Sequence, residues 1–226
     1  MQELVILGAG ENGVLVTDVV KDINSKKVTF KIIGFLDDDE KKLGAEIAGY
    51  PVMGRMNTWR SYKKAVFTSP LVSSPKKNHL KKVIVSNLGI EKSRFVNIIS
   101  PDVVFFRSVS VGLGNLILSS AQFQSNITLG SYNYVSNNSV IGSNAFLEDY
   151  VNISNSASIQ GGVRIGEGAY IGANSSIIGY TSVGKWAIVG MGSVVLQDVK
   201  DYEIVAGNPA RVIGENTTAR ELFERL

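Results

Sequence analysis

Residues 165–195 read IGEGAYIGANSSIIGYTSVGKWAIVGMGSVV, and a large apolar residue stands at every sixth position of this segment. The same spacing extends back to Phe105 without interruption. The complete series is Phe105, Val111, Ile117, Phe123, Leu129, Val135, Ile141, Leu147, Ile153, Ile159, Ile165, Ile171, Ile177, Val183, Val189 and Val195. Chance does not produce such a series in a chain that is 44% hydrophobic. A period of six fits neither an amphipathic helix nor an ordinary strand, and it predicts a hexapeptide-repeat architecture.

A second spacing, of 18 residues or twice 18, separates the glycines that follow some of these apolar residues. They are Gly112, Gly130, Gly166 and Gly184. Three hexapeptides therefore make one turn of a triangular coil, with a short strand on each side and a tight corner after each strand. Stacked turns about 4.8 Å apart share backbone hydrogen bonds and bury their apolar residues together. We expect about five turns, ending after Val195, with the glycines at corners where φ is positive.

The residues two positions before the apolar series are mostly small or polar. They include Ala121, Asn133, Ser139, Ala145, Ala157, Ala169, Ser175, Ala187 and Ser193. A narrow coil interior requires small side chains at these positions, so this pattern supports the same prediction.

The composition excludes several classes of protein. A net charge of +3 is too small to indicate a nucleic-acid partner, and the lysine pairs of the first hundred residues indicate a solvated surface or weak attraction of an anionic ligand. The absence of cysteine and the single histidine, His79, argue against disulfides, thiolate chemistry and a Cys- or His-based metal site. With no apolar run of about 18 residues and no signal-like start, we expect a soluble, cytoplasmic protein without a membrane span.

A glycine-rich loop, GAGENG, occupies residues 8–13 and follows the strand-like run ELVIL at residues 3–7. A helix is predicted to follow it over residues 14–22. Between a strand and a helix, such glycines let the backbone approach a diphosphate at the helix N-terminus. The predicted substrate-binding residues of this loop are Gly8, Gly10, Asn12 and Gly13.

A second strand-like run, residues 28–36, ends at three acidic residues. Asp37 and Asp38 stand near the position at which such folds read a ribose or base; the alternative is a simple acidic turn. Further strands are predicted over residues 65–67 and 95–99, and a helix over 78–87. A domain of residues 1–98 is too short for a complete dinucleotide-binding fold, so a mononucleotide is the favoured ligand.

These features together resemble the bacterial left-handed β-helix acyltransferases that modify nucleotide-linked amino sugars, a subgroup related to sialic-acid O-acetyltransferase. The resemblance rests on the repeats and on four motifs: GAGENG, IISP at residues 98–101, VGMGSVV at 189–195 and GNPARVI at 207–213. It implies a Rossmann-like domain over residues 1–98, a left-handed parallel β-helix over 99–213 and a helical tail over 214–226. We expect the tail helix, from residue 218, to cap the last open rung.

The resemblance also implies an activity and its partners. The family forms homotrimers of parallel prisms with active sites in the clefts between subunits. Its N-terminal domain would hold a UDP-, dTDP-, GDP- or CDP-linked 4-amino sugar, and acyl-CoA, most simply acetyl-CoA, would lie along the prism. The sugar amine would attack the thioester, in surface glycan synthesis such as lipopolysaccharide biosynthesis, with no metal.

The sequence departs from the family pattern at the general base. The His and acid that the family carries at one corner correspond here to Ser143 and Asn144. Other positions where relatives carry His hold Asn12, Ser100 and Asn152, and His79 is interpreted as an ordinary surface residue. An amine with a pKa of about 8 is roughly one-tenth unprotonated at neutral pH, whereas a hydroxyl has no such reserve. The missing His therefore favours N-acylation over O-acetylation.

Candidate catalytic residues follow from the same alignment. Ser143 and Asn144 could orient the leaving proton through water. Gly161, one turn above Ser143, would offer its backbone amide to the thioester oxygen, or is simply a corner that requires positive φ. Glu148 replaces a glycine of its corner column, where strain is expected, so Glu148 or Asp149 is either a replacement base or a solvent-facing corner residue.

The resemblance suggests ligand contacts elsewhere on the coil. Ser136 would touch the sugar. The predicted acyl-CoA residues are Gly161, Gly172, Gly190, Lys185 and Arg211, of which the two basic residues could equally be solvated charges. Two other functions stay open: O-acetylation of a sialic-acid-like sugar, and a trimeric β-helix that binds a nucleotide sugar without turnover.

Overall fold

The computed structural model describes residues 1–71 and 75–224, and its N-terminal part is a small α/β unit. Its strands are β1 (Gln2–Leu7), β2 (Phe30–Leu36), β3 (Glu46–Ile47), β4 (Tyr50–Gly54) and β5 (Val66–Thr68). Its helices are α1 (Glu11–Lys26) and α2 (His79–Leu88), with short 3-10 turns at Glu40–Lys42, Met56–Ser61, Pro75–Lys77 and Lys92–Arg94. The strands form one sheet in the order β3-β4-β2-β1-β5.

The predicted elements of this unit are confirmed, with small shifts of their ends. The first helix is longer than the predicted 14–22 because it begins directly at the glycine-rich loop. The run 95–99 is a strand only at Ile98–Ile99, and Phe95 makes a single bridge to Phe67. No helix within residues 1–71 and 75–224 is long and apolar enough to cross a membrane.

The second half is a left-handed parallel β-helix of short strands. In chain order they are β6 (Ile98–Ile99), β7 (Val104–Phe105), β8 (Val109–Val111), β9 (Leu116–Ile117), β10 (Gln122–Phe123), β11 (Ile127–Leu129), β12 (Tyr134–Val135), β13 (Val140–Ile141), β14 (Phe146–Leu147), β15 (Asn152–Ile153), β16 (Ser158–Ile159), β17 (Arg164–Ile165), β18 (Tyr170–Ile171), β19 (Ser176–Ile177), β20 (Ser182–Val183), β21 (Ile188–Val189) and β22 (Val194–Val195). Strands pair with partners 18 residues away, as Ile141 does with Ile159. The strand pairing thus follows the period of the sequence.

Three sheets form the sides of the coil. Sheet 1 runs from β7 to β22, sheet 2 from β8 to β20, and sheet 3 from β6 through β21 to the C-terminal strands. The apolar series from Ile117 to Val195 is at most 2% exposed, and the small residues two positions before it are buried as well. Phe105 stays partly exposed because no turn lies below it. The core prediction is therefore confirmed except at the first open turn.

The corner glycines are not where φ is positive, which corrects the prediction. Every sixth residue from Ser108 to Gly192 has positive φ, three positions after the apolar residue. The glycine directly after the apolar residue is needed for another reason. A Cβ on Gly142 would lie 2.5 Å from the Gly161 nitrogen of the next turn. At Gly142, close approach between stacked backbones, rather than φ, therefore leaves no room for a Cβ.

The coil ends later than predicted. Beyond Val195, strand β23 (Glu203–Gly207) pairs in parallel with β21, and β24 (Ala210–Glu215) returns antiparallel to it. The hairpin contains the GNPARVI motif and covers the last edge of sheet 3. The predicted cap is therefore this hairpin and not the tail helix.

The tail helix, α3 (Thr217–Phe223), packs against the side of the coil. The Phe223 ring stacks on the buried Trp186 ring with 4.6 Å between centroids. Residues 225–226, which the predicted tail helix included, lie outside the described residues. The tail thus joins the contact between the coil and the N-terminal unit.

Corners between the sheets are named by the sheets they join, and the N-terminal unit docks on the 2–3 corner. There the positive-φ residues Tyr132, Tyr150 and Trp186 are buried aromatics. Side chains from outside the coil cap the backbone carbonyls of this column: Lys81 Nζ donates to Tyr132 (2.6 Å), Asn78 Nδ2 to Gly168 (2.7 Å), and Asn216 Nδ2 to Trp186 (2.9 Å). Among the hydrogen bonds of residues 1–71 and 75–224, no side chain of the N-terminal unit caps a carbonyl of the other two corners.

Candidate functional site

The glycine-rich loop forms one wall of a cleft at the N-terminus of α1. The cleft has a volume of about 300 Å³ and is lined by Gly8, Gly10, Glu11, Asn12, Gly13, Pro70 and Leu71. Gly8 has a φ of +105°, and a Cβ on Gly13 would lie 2.1 Å from the Gly8 carbonyl oxygen. A Cβ on Gly10 would meet nothing within 4 Å. The protein itself therefore requires two of these glycines, while the third leaves open space for a ligand.

Asp37 holds this loop in place. Its carboxylate accepts hydrogen bonds from the N–H groups of Ala9 (2.7 Å) and Asp39 (2.8 Å), and Lys42 Nζ lies 3.2 Å away. Burial opposes ionisation, but these donors outweigh it and lower the pKa of Asp37. Because both oxygens are occupied and the residue is 8% exposed, Asp37 orders the loop.

Asp38 lies beside Asp37 but is exposed. Its Oδ1 accepts the Met56 N–H at 2.9 Å, and its other carboxylate oxygen makes no hydrogen bond to the described residues. Of the two predicted acidic residues, Asp38 is thus the one open to a ligand.

The 1–2 corner carries the predicted residues Ser143 and Asn144. Ser143 donates both its backbone N–H (3.1 Å) and its hydroxyl (3.2 Å) to Gln124 Oε1, from the turn below. Asn144, which has positive φ, accepts a hydrogen bond from Asn126 Nδ2 at 3.3 Å. This corner is therefore a neutral, hydrogen-bonded patch.

Gly161 lies one turn above Ser143 on the same corner, as predicted. Its φ is not positive; that conformation belongs to Gly162, which corrects the alternative interpretation of Gly161. A Cβ on Gly161 would lie 3.1 Å from the Ser143 carbonyl oxygen. Within residues 1–71 and 75–224, the Gly161 N–H donates no hydrogen bond. A partly exposed, unpaired amide thus stands directly above Ser143.

Glu148 and Asp149 lie on a different corner. Glu148 Oε2 accepts the Glu167 N–H at 2.9 Å, and Asp149 Oδ1 accepts the Ser131 N–H at 2.6 Å. Both belong to the 2–3 corner, across β14 from Ser143. The φ of Glu148 is not positive, so the predicted strain is absent there. The structure does not bring either carboxylate to Ser143.

The remaining predicted ligand contacts spread over the molecule. Gly172 and Gly190 lie on the 3–1 corner, Lys185 on the 2–3 corner, and exposed Arg211 on β24 beside the last turn. Ser136, also on the 3–1 corner, is buried and donates its hydroxyl to Asn155 Oδ1. One chain therefore does not gather the predicted acyl-CoA residues with Gly161.

Two interpretations of basic residues in the first half are wrong. His79 is 7% exposed and Lys81 is 4% exposed, so neither is a surface residue, and Lys81 reaches the Tyr132 carbonyl of the coil. Burial lowers the pKa of Lys81 to about 7. Of the three further positions at which the resemblance led us to expect His, Asn12 lines the cleft, whereas Ser100 and Asn152 are buried.

Gln124 and Asn126 were not among the predicted residues. Gln124 stands 19 residues before Ser143, and Asn126 stands 18 residues before Asn144, so each lies three hexapeptides, or one turn, below its partner. Only the 18-residue period could have indicated them, since amide side chains at corners are common in this chain.

Comparisons with known proteins agree with both halves of the fold. Residues 3–69 match the family model of the PglD N-terminal domain. The acetyltransferase domain of PglB from Neisseria gonorrhoeae FA1090 is 27% identical, with a TM-score of 0.81 over 94% of this chain and 100% of that chain. The same domain in complex with acetyl coenzyme A is 28% identical, with a TM-score of 0.82 over 94% and 99%. A comparison with curated proteins finds no match.

More distant structures share the fold. A mutant of perosamine N-acetyltransferase from Caulobacter crescentus, solved in complex with CoA and GDP-perosamine, is 22% identical with a TM-score of 0.82 over 95% of this chain and 98% of that chain. WeeI from Acinetobacter baumannii AYE is 24% identical with a TM-score of 0.69 over 94% and 100%. The fold and site define a hexapeptide-repeat β-helix with a PglD-type N-terminal domain. The predicted resemblance to left-handed β-helix acyltransferases is confirmed.

Proposed function

We propose that this chain is an N-acyltransferase that transfers an acetyl group from acetyl-CoA to the amino group of a nucleotide-linked amino-deoxy sugar, for surface glycan synthesis. The observation that carries the proposal is the 1–2 corner, where the unpaired Gly161 amide stands above the neutral Ser143. Acetyl-CoA as donor is supported by the Neisseria domain, which matches over nearly its full length and was solved with that molecule.

The acceptor is assigned from the N-terminal cleft. Glycine-rich backbone at a helix N-terminus favours a diphosphate because free N–H groups and the helix dipole both attract anions. Gly10 leaves room for such a group, and Asp38 on the neighbouring strand end is open to a ribose or base. We therefore propose that the nucleotide of the acceptor binds here, and that Asp37 acts by shaping the loop.

The chemistry assigned to the corner needs no general base. The Gly161 N–H would stabilise the oxyanion that forms when an amine attacks the thioester carbonyl. If the pKa of the sugar amine is about 8, roughly a tenth of the amine is unprotonated, and thus nucleophilic, at neutral pH. Loss of a base costs about 10²- to 10⁴-fold in rate, which an amine tolerates better than a hydroxyl. Glu148 and Asp149 are not proposed as bases because they lie on another corner.

A homotrimer is part of the proposal, and the 1–2 corner supports it. Tyr180 there has positive φ and is 87% exposed, whereas the aromatic residues at the equivalent positions of the 2–3 corner are covered by the N-terminal unit. Other exposed apolar residues are distributed along this edge. They are Phe106, Phe146, Ile178 and Leu196. A neighbouring copy that covers this edge would also bring the acyl-CoA residues of its own corners towards Gly161.

The test is release of free thiol from acetyl-CoA in the presence of nucleotide-linked 4-amino sugars and of the matching 4-hydroxy sugars. The proposal predicts release with at least one amine and none with its hydroxyl counterpart. Release with a hydroxyl sugar would instead identify an O-acetyltransferase. Nucleotide-sugar binding by calorimetry without release from any acyl-CoA would identify a non-catalytic binding protein.

A further inference from the structure

Gln124 connects two turns of the coil at the 1–2 corner. Its side-chain amide faces both the Ser143 N–H (3.1 Å) and the Ser143 hydroxyl (3.2 Å). A backbone N–H can only donate, so the Gln124 atom that faces it is the amide oxygen and not the nitrogen. That oxygen can only accept, so the Ser143 hydroxyl directs its proton at Gln124.

This contact decides what Ser143 can offer a substrate. A serine hydroxyl has one proton and two lone pairs. Because the proton is directed at Gln124, the lone pairs are left for a donor that approaches from the partly exposed side of Ser143. The group that best matches a fixed acceptor here is the N–H of an amine. A free serine hydroxyl would rotate and present its proton as often as its lone pairs.

We propose that Gln124 is a positioning residue for acyl transfer, which acts by holding the Ser143 hydroxyl as an acceptor for the attacking amine. This inference rests on the proposed function. The amine nitrogen forms a C–N bond to the thioester carbonyl carbon, and the C=O electron pair moves to oxygen. Collapse breaks the C–S bond and releases the thiolate. The proton lost by nitrogen passes to solvent or to the thiolate, so the products are an amide and a free thiol; Ser143 keeps its own proton.

A neighbouring pair of side chains repeats the contact between these two turns. Asn126 Nδ2 donates to Asn144 Oδ1 from the same lower turn (3.3 Å). Two amide side chains of one turn therefore hold two successive corner residues of the next. Ser, Gln and Asn side chains do not titrate near neutral pH, so the acceptor is present across the whole physiological range.

The test begins with Gln124→Ala, assayed with acetyl-CoA and an amino sugar that the wild type accepts. Loss of the fixed acceptor should lower kcat by roughly 10-fold to 100-fold, while KM for both substrates changes by less than about threefold. Gln122→Ala is the matched control, since it removes the same side chain two residues earlier, from the exposed face of β10. The control should retain full kcat. Gln124→Glu keeps an acceptor oxygen and should retain kcat within about threefold.

A double-mutant cycle with Ser143 separates positioning from a structural effect. If Gln124 acts only through Ser143, the double variant Gln124→Ala/Ser143→Ala should be no slower than Ser143→Ala alone. Full kcat in Gln124→Ala, additive losses in the double variant, or a Gln124→Glu variant as slow as Gln124→Ala would each overturn the proposal. A wild type that acylates no amine would instead refute the proposed function.

Discussion

At the scale of single residues, the glycines of the N-terminal loop fall into two kinds. Gly8 and Gly13 are required by the fold, whereas Gly10 leaves space for a ligand. Gly13 has no room for a Cβ because the Gly8 carbonyl oxygen would lie 2.1 Å from it. Gly10 has open space on the same side. The two positions therefore serve the motif for different physical reasons, which substitution by alanine can tell apart.

Gly13→Ala should destabilise the fold by about 1–3 kcal/mol, the usual cost of overpacking, and this is measured by urea unfolding. Gly10→Ala should unfold like the wild type but bind the nucleotide sugar at least about 10-fold more weakly, since the added methyl enters the space left for the ligand. Equal affinity of Gly10→Ala and wild type in calorimetry would show that the nucleotide binds elsewhere.

The lowered pKa of Asp37 predicts a pH-dependent contribution to stability. A carboxylate with a depressed folded-state pKa stabilises above its unfolded pKa of about 3.9. The contribution is lost as pH falls through the folded-state pKa. Asp37→Asn should therefore be less stable than the wild type by about 1–3 kcal/mol at pH 7, and the difference should shrink below about pH 4. A difference that is constant from pH 7 to pH 3 would contradict the assigned hydrogen bonds.

At the scale of elements, α2 is the link between the nucleotide cleft and the coil. It follows the Pro70–Leu71 wall of the cleft, after residues 72–74, and its Lys81 donates to the Tyr132 carbonyl from a fully buried position. When α2 packs on the coil, the Lys81 amine therefore lies in a buried site that disfavours its charged form. The free-energy cost of burying this amine depends on pH.

Because the pKa of Lys81 falls to about 7 on folding from an ordinary value of 10.5, the unfolded chain binds more protons than the folded chain between these pH values. Stability should therefore rise with pH from about 7 to 10.5 through this residue. Lys81→Met removes the ionisable group, so the free energy of unfolding of this variant should lack this rise with pH. Urea unfolding of both proteins at pH 7, 8 and 9 checks it. Parallel curves would show that Lys81 is charged in the folded state as in the unfolded state.

The helices and the strands of the coil were largely predictable from the sequence. The physical reasons for individual residues within them were less predictable. Period six predicted the coil because each apolar position must face one narrow core. It could not show that positive φ falls three residues later, since Asn, Ser, Tyr, Trp and Gly all occupy that position. His79 and Lys81 could not be recognised as buried, because their burial depends on how α2 packs in the folded chain.

At the scale of the whole molecule, the candidate site was predictable only in part. Alignment on the repeat placed Ser143 and Gly161 on one corner, and the structure agrees. The assignment of Glu148 failed because a residue five positions along a triangular coil belongs to the next corner. Gln124 was missed because its role depends on a contact between turns.

The exposed edge of the 1–2 corner predicts how copies assemble. Ile178→Glu would place a charge in the proposed contact and should convert the proposed trimer to smaller species in light scattering, since burying an unpaired charge costs several kcal/mol. Val28→Glu, an exposed apolar residue of the N-terminal unit, is the control and should remain trimeric. An Ile178→Glu protein that assembles as the wild type does would place the interface on another face.

The corner around Ser143 is neutral, and the amine is proposed to attack by its own nucleophilicity. The most direct test is the pH dependence of kcat/KM for two accepted amino sugars whose amine pKa values differ. A single rise to a plateau is expected, with the midpoint following the amine pKa of each substrate. A midpoint that is the same for both sugars would reveal a titrating base on the enzyme and would contradict the account.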